Sequence, residues 1–494
     1  MAIMPTSYSH TPGALLALPG MRTELDSLHR QLATGQRADN YADLGMARSV
    51  SLALRRAQDS VGAFRDTVSM VTGRLQVMDA TLGRMSALRK ETANSLGGLP
   101  FEVDVNGASG DQRIARGALE EMIAHLNSDY ANRALFAGRA VDQKAVADLA
   151  TILDGAPGLA GLRQVTDERR QADLGDGLGR LILDPVAADT VTLRQEGAGL
   201  PFGFTLSAVS STLNGAAVTG PSGAPPALSV ALTTQPQSGQ TVTLQLGLPD
   251  GTSTELVLTA GAQGDFALGA TVTDTANNLR AALQAKLTDA GLNQLTAASA
   301  SQAAQEFFAS GPPATAMRVD GPPFDTATAL IAATPADTVS WYVGDNGGGN
   351  PRDTAVARLD EGVTVGYGMR ANEQPFAEMM AGLAALVADD FSAATAQDQL
   401  RAESLIVRTK DLLHRGGLGL EAVQADIAAG AKAAAEAGER HQTTATMLGG
   451  LLEANEGADT AEVSTKLLTL QTRLEASYQA TALVLQVSLA DYLR

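Results

Sequence analysis

Few residues in this chain combine the types and the spacing that catalysis or ligand binding needs. The most suggestive segment is a glycine-rich loop at 344–350, which follows a predicted strand and carries Asp345 and Asn346. A phosphate-binding loop needs a Lys followed by Ser or Thr, with a helix that begins on the loop, and neither is predicted here. The spacing also differs from that of a calcium loop. We therefore expect a flexible turn that could at most hold a cation weakly.

Other catalytic signatures are missing as well. The five histidines are scattered along the chain, at His10, His29, His125, His414 and His441. They form no H-E-x-x-H zinc motif, and the chain contains no G-x-S-x-G nucleophile elbow. We expect the acidic pairs Asp360-Glu361 and Asp389-Asp390 to lie in solvated turns rather than to serve in acid–base catalysis. These patterns predict a protein that is not an enzyme and that holds no cofactor or metal.

The composition is acidic and free of cysteine. The chain has 494 residues and a formal net charge of −18, so a nucleic acid is a poor partner. A cysteine count of zero excludes disulfides and thiolate metal sites. No apolar run approaches the ~20 residues of a membrane span. No Lys or Arg precedes Arg22, so we expect a protein that is cytoplasmic or that is exported without a cleaved signal peptide.

Two apolar heptad patterns, one near each end of the chain, are the strongest periodic signal in the sequence. Near the N-terminus the pattern consists of Leu18, Met21, Leu25, Leu28 and Leu32. Near the C-terminus it consists of Val463, Leu467, Leu470, Leu474, Tyr478, Leu485, Leu489 and Tyr492. Such stripes are stable only when they are buried against another helix. We therefore predict that the two ends of the chain meet and that these residues pack subunits together.

Helical patterns occupy both halves of the chain. We predict irregular structure over 1–20, because Pro5, Pro12 and Pro19 interrupt it, and a helix over 21–34 that stops at Gly35. A very long helix is predicted over 44–96, with its apolar stripe in the core, and a third over 110–130. After Asn372 the chain is again helical, with an alanine-rich helix over 421–452 before the C-terminal stripe.

The alternating pattern in the middle of the chain predicts strands. Val242, Leu244, Leu246 and Leu248 alternate with polar residues, and a Pro-Asp-Gly turn leads to a second alternating segment. This pattern is typical of a β-hairpin. One short helix is predicted over 275–287, in a small β-rich domain with one or two helices. A further strand pair is predicted over 338–343 and 363–367. Trp341, the single tryptophan, is expected in the core.

The resulting fold prediction is α+β, with a long helical coiled-coil or bundle rod made from both chain ends and an inserted β-rich outer domain. The terminal helical assembly domain would comprise residues 1–40 and 455–494. A helical rod domain with a few strands would comprise 41–185 and 336–454, and the inserted β-rich surface domain 186–335.

Three segments resemble the bacterial flagellin family. The segment 31–40, QLATGQRADN, is similar to the turn between the family's first two helices, and 126–138 is similar to its LNxxYNGxxLFxG segment. The segment 453–462 resembles the start of its last helix. The final SLADYL, at 488–493, is most similar to the ending of the hook–filament junction proteins, the type 3 hook-associated proteins.

The resemblance implies a structural subunit of the bacterial flagellum, assembling through its terminal helices at the junction between hook and filament. It implies a homo-oligomer in a helical assembly, with flagellin, other hook-associated subunits and an export chaperone as partners. It also implies an extracellular location, without membrane insertion or nucleic-acid binding. The alternative within the family is a flagellin that forms the filament itself. Outside the family, an acidic coiled-coil adaptor and an enzyme carried in the β-rich insertion remain open.

Overall fold

The computed structural model describes the backbone of residues 13–309 and 316–492, and the side chains of 18–309 and 316–483. Contacts divide the chain into two compact units. The terminal unit contains the described residues up to Met70, the segment Arg358–Val363, and the described residues from Ala434 onward. The central unit contains the described parts of Val71–Ala357 and of Thr364–Ala433.

Helices dominate both ends of the chain. They are α1 Gly13–Thr34, α2 Ala47–Ser95, α3 Gly110–Leu126, α4 Leu149–Asp154, α5 Leu162–Leu174, α6 Val272–Ala290, α7 Thr296–Phe308, α8 Gln374–Ala388, α9 Ala396–Glu456 and α10 Thr460–Tyr492. A five-residue π-helix, Gly291–Leu295, joins α6 to α7, and a 3-10 turn covers Pro351–Thr354. The prediction of a mixed fold with a helical C-terminal region and a β-rich middle is confirmed. The rod stays a prediction.

In the terminal unit, helices pair in antiparallel fashion. Helix α1 packs on α10, and the first part of α2 packs on the last part of α9. Along the second pair, the His441 ring stacks on Phe64 with centroids 5.4 Å apart, and its Nε2 lies 2.7 Å from the carbonyl oxygen of Leu359. The predicted core stripe of α2 is half-exposed in this unit and becomes buried from Val68 onward.

The central unit contains most of the strands. Their bounds are β1 Asp129–Tyr130, β2 Arg133–Ala134, β3 Leu181–Leu183, β4 Thr190–Gln195, β5 Thr205–Ser211, β6 Ala216–Ser222, β7 Ala227–Leu232, β8 Thr241–Gly247, β9 Ser253–Thr259, β10 Met317–Val319 and β11 Leu330–Ala332. Two further strands are β12 Val356–Asp360 and β13 Val363–Gly366. The larger sheets have the strand orders β3-β4-β7-β6 and β5-β8-β9, and every described neighbour pair in them is antiparallel.

The two larger sheets share one apolar core with α6. Alternate residues of β4, β7 and β8 are buried, because only one face of each sheet meets this core. Leu279, Leu283 and Leu287 of α6 pack against that face. The predicted hairpin is confirmed as β8 and β9, with Val242 opposite Leu258 and Leu244 opposite Leu256.

Helices α5, α7 and α8 form the second part of the central core. Helix α7 packs on both α5 and α8, and α3 packs on α8. Small residues make α7 buried nearly all round, among them Ala300, Ser301 and Ala304. The sequence predicted a helix over 275–287 and left open whether the β-rich region holds one or two helices. A second one, α7, follows because its small side chains allow close packing, which outweighs the weak helix propensity of Ser and Thr.

Three predictions about local structure are wrong. Helix α1 begins at Gly13 instead of residue 21 and continues through Pro19, although an interior proline removes a backbone hydrogen bond and crowds the preceding turn. The segment 338–343 is no strand, and its residues form isolated bridges from Thr338 to Ala160 and from Tyr342 to Val146. The helix predicted over 421–452 belongs to the continuous helix α9, which begins at Ala396.

Candidate assembly surface

The pairing of α1 with α10 brings together the two ends of the chain. Leu28 of α1 is buried together with Val463, Leu467, Leu470 and Leu474 of α10, and each of these side chains is at most 9% exposed. Leu18, Met21 and Leu25 are partly buried against the same cluster. The structure thus brings together most of the residues that the two heptad patterns singled out, as one seam between α1 and α10. We call it the terminal seam.

Two predicted seam residues are only half covered. Leu32 is 44% exposed, and Tyr478 is 43% exposed. The Tyr478 hydroxyl accepts hydrogen bonds from Arg22, at 3.0 Å from Nε and 2.7 Å from Nη2. The side chains of Leu485, Leu489 and Tyr492 lie outside the described residues, so their packing stays a prediction.

Backbone hydrogen bonds join the turns at the closed end of the terminal seam. Gly35 ends α1 with φ +69°, a conformation that favours glycine, as the sequence predicted. The Arg37 amide donates to the Glu456 carbonyl at 2.7 Å, and the Ala458 amide donates to the Gly35 carbonyl at 2.9 Å. The Asp459 carboxylate accepts from the first amides of α10. The turn that follows Gly35 and the segment that precedes α10 are therefore paired with each other.

The Glu456 side chain links these turns to α2. Its carboxylate accepts hydrogen bonds from Arg55, at 3.0 Å from Nε to Oε1, and from the buried hydroxyl of Ser51. Both hydrogen bonds lower the pKa of Glu456 below its usual value, and the bond from Arg55 contributes most. This contact was not predicted from the sequence. Its signal was weak, because one carboxylate at the end of an alanine-rich helix does not identify a partner 401 positions away.

Apolar side chains on the terminal unit remain exposed. On α9 these are Met447, 59% exposed, and Leu451, 48% exposed. On α10 they are Leu468, 65% exposed, and Leu483, 62% exposed. Isolated exposed apolar residues are normal on a protein surface, whereas several on paired helices indicate an interaction site.

Contacts of Asp345 hold the glycine-rich loop that was considered for ligand binding. The Asp345 carboxylate accepts from the Gly347 amide at 2.9 Å and lies 3.5 Å from the Arg370 guanidinium. The backbone hydrogen bond from Gly347 contributes most to a lowered pKa of Asp345. Among the described residues there is no group of His, Asp or Glu placed to hold a metal ion.

One acidic pair differs from its prediction. Asp389 does not lie in a solvated turn, because its side chain is fully buried between Arg170, at 2.6 Å, and Arg401, at 3.2 Å. A buried carboxylate needs such positively charged partners. Arg170 and Arg401 therefore fix the position of Asp389 at the end of α8. Trp341 is 1% exposed and donates from Nε1 to the Phe308 carbonyl at 3.2 Å, which confirms its place in the core.

The most deeply buried charges are also paired. Arg169 contacts the Asp173 carboxylate at 2.9 Å and the Glu306 carboxylate at 2.8 Å. Asp173 also accepts from the Gly203 amide at 2.8 Å. Burial raises the pKa of Asp173, and Arg169 opposes that rise. This cluster joins α5, α7 and the loop before β5, and its charged groups pair with each other.

Comparison with protein-family models and with curated proteins finds no match for this chain. Within the described residues, none of the helices combines the length and the apolar character that crossing a bilayer requires.

Proposed function

We propose that the chain is a structural subunit of the bacterial flagellum, located outside the cell at the junction between hook and filament, where it assembles through its terminal helices. One observation carries this proposal. The two ends of the chain pair through the terminal seam, while large apolar side chains on the same unit stay uncovered by the described residues. A helix pair that buries one face and exposes more apolar surface is suited to pack against further copies.

The flagellin-like segments support the flagellar assignment. The turn that follows Gly35 and the segment that precedes α10 lie beside each other and exchange backbone hydrogen bonds. The LNxxYNGxxLFxG-like segment forms the hairpin β1–β2, and its Leu135, Phe136 and Ala137 are buried. Each of these three segments therefore makes structural contacts within the chain.

Assembly of the purified full chain tests the proposal. Leu470→Asp places a charge in the terminal seam, whereas Ala482→Asp places the same charge at an exposed position of the same helix, beside the seam. We expect the wild-type chain and Ala482→Asp to form particles visible by light scattering and electron microscopy, alone or on hook fragments, and Leu470→Asp to form none. Equal assembly by both variants would mean that the seam plays no part.

The alternative is a flagellin that forms the filament itself, and the same experiment separates the two. A junction subunit stays monomeric alone, binds hook fragments and then allows added flagellin to grow. A filament subunit grows long polymers unaided. If the wild-type chain neither polymerises nor binds hooks, the flagellar proposal is wrong in both forms.

A further inference from the structure

Two adjacent glycines, Gly449 and Gly450, lie in the last part of α9, and no contact among the described residues requires a glycine there. A glycine in a helix interior destabilises the helix relative to alanine. Neither Gly449 nor Gly450 adopts a positive φ. A Cβ atom added at either position would meet no described atom within 4 Å. The packing of a single copy therefore does not require them.

Gly450 lies in an exposed stripe of α9 that contains no charged residue. The stripe follows helical spacing through Thr443, Met447, Gly450 and Ala454, all exposed, with Leu451 at its edge. Because Gly450 has no side chain, it forms a notch beside the large side chains of Met447 and Leu451. We call this surface the α9 notch.

Helix α10 carries a second exposed stripe, on the side away from the terminal seam. Leu468, Thr472, Ala476 and Leu483 follow helical spacing, and all four are exposed. The terminal seam covers only the face that contains Leu467, Leu470 and Leu474. Helix α10 therefore has apolar residues on two faces, and only the seam face packs against α1 among the described residues. We call the other face the α10 stripe.

We propose that the α9 notch of one copy docks the α10 stripe of a second copy, with Leu468 seated on Gly450. This proposal rests on the proposed function, since it specifies the contact through which the subunits would assemble. A large side chain that fits a gap between two others on a facing helix is the usual form of close helix packing. The notch and the stripe are different surfaces of one unit, so the contact is head-to-tail and propagates into a ring or an open helical assembly.

Charge favours a second copy as the occupant. Glu453 borders the α9 notch, and Arg473 borders the α10 stripe. Both are exposed, and neither has an ion-pair partner among the described side chains. With Leu468 on Gly450 and the helices parallel, Glu453 lies three residues and Arg473 five residues beyond the contact. At about 1.5 Å per residue, their positions along the helix axes then differ by about 3 Å, which places opposite charges at nearly the same level of the contact.

Cross-linking is the direct test, because the natural chain has no cysteine. Full-length Gly450→Cys and Leu468→Cys proteins are assembled separately and as an equal mixture, alone or on hook fragments, and then oxidised. We expect disulfide-linked dimers in the mixture and almost none in either single variant. Dimers in Gly450→Cys alone would mean that two notches face each other, which overturns the head-to-tail contact.

A second pair of variants covers the case in which cysteine disturbs packing. Gly450→Leu fills the notch, and Gly83→Leu is the matched control, since Gly83 is also an exposed helical glycine with nothing within 4 Å. We expect both variants to keep or raise the Tm of the monomer. Only Gly450→Leu should raise the concentration needed for assembly, by about tenfold or more.

The outcomes separate this docking from the proposed function. A wild-type chain that fails to assemble alone and on hook fragments refutes the proposed function and the docking together. A wild-type chain that assembles, with Gly450→Leu assembling equally well and no dimers in the cysteine mixture, refutes the docking only.

Discussion

The buried ion pair between Asp250 and Arg408 provides the sharpest stability prediction. Asp250 lies at the tip of the β8–β9 hairpin, and its Oδ2 is 2.6 Å from Nε of Arg408 on α9. The side chains are 3% and 9% exposed. Arg408 also donates to the Ser404 carbonyl at 3.2 Å and to the Thr252 hydroxyl at 3.1 Å. The hairpin tip is therefore fixed to α9 by one fully paired charge cluster.

The replacement Asp250→Asn removes the charge and keeps the shape. The amide oxygen can still accept from the Thr252 amide, which holds the turn at 3.1 Å in the wild type. Leaving a buried charge without its counter-charge costs about 3–5 kcal/mol. Because Arg408 keeps its other acceptors, we expect the lower end, about 3 kcal/mol. That value corresponds to a roughly hundredfold larger unfolding constant.

Urea unfolding followed by Trp341 fluorescence measures this loss, because Trp341 is buried in the same unit. Asp411→Asn is the matched control on α9. Its carboxylate is 3.1 Å from Arg415, with the two side chains 63% and 45% exposed, so we expect a change below about 0.5 kcal/mol. Adding Arg408→Met to Asp250→Asn should recover much of the stability. A loss below about 1 kcal/mol for Asp250→Asn, or a loss equal to that of Asp411→Asn, would contradict this reasoning.

Three further predictions follow from single contacts. Glu456→Gln should destabilise the terminal unit by about 1 kcal/mol at pH 7. Since its folded-state pKa is lowered, the wild-type advantage should be complete above the ordinary carboxyl pKa and should disappear as the pH falls through the lowered value, as measured by thermal unfolding across pH. Leu474→Ala should raise the assembly concentration about 30- to 150-fold, for a loss of about 2–3 kcal/mol, while the exposed Glu475→Ala changes it little in the same sedimentation assay. Ser109→Ala removes the cap of α3 and should cost about 1 kcal/mol in urea unfolding.

Local periodicity predicted the helical ends of the chain well. The bounds of α2 lie within a few residues of the predicted 44–96, and Gly35 ends α1 where the sequence indicated. These features depend on neighbours three or four positions away. How much of each stripe is covered depends on the width of the facing helix, so the exposure of Leu32 and Tyr478 could not be predicted.

Contacts between distant segments account for the errors. The alternation of Val339, Trp341 and Val343 is typical of a strand, but the segment that contains them bridges to two different parts of the chain. The turn at Asp250 was predicted, whereas its partner on α9, 158 positions away, was not. The same holds for the candidate site. The heptad patterns predicted the terminal seam, whereas the Glu456 contact could be found only in the folded structure.

The terminal seam makes the order of biosynthesis matter. The hydrogen bonds between Arg22 and Tyr478 join residues 456 positions apart, which a ribosome takes roughly 20–90 s to add. Throughout that interval α1 lacks its partner, and before the interval ends the central unit has all its residues and can fold. A chain interrupted between residues 433 and 460 would contain the whole central unit and would lack α10. Its Leu28 would remain uncovered, which would distinguish it from a finished molecule.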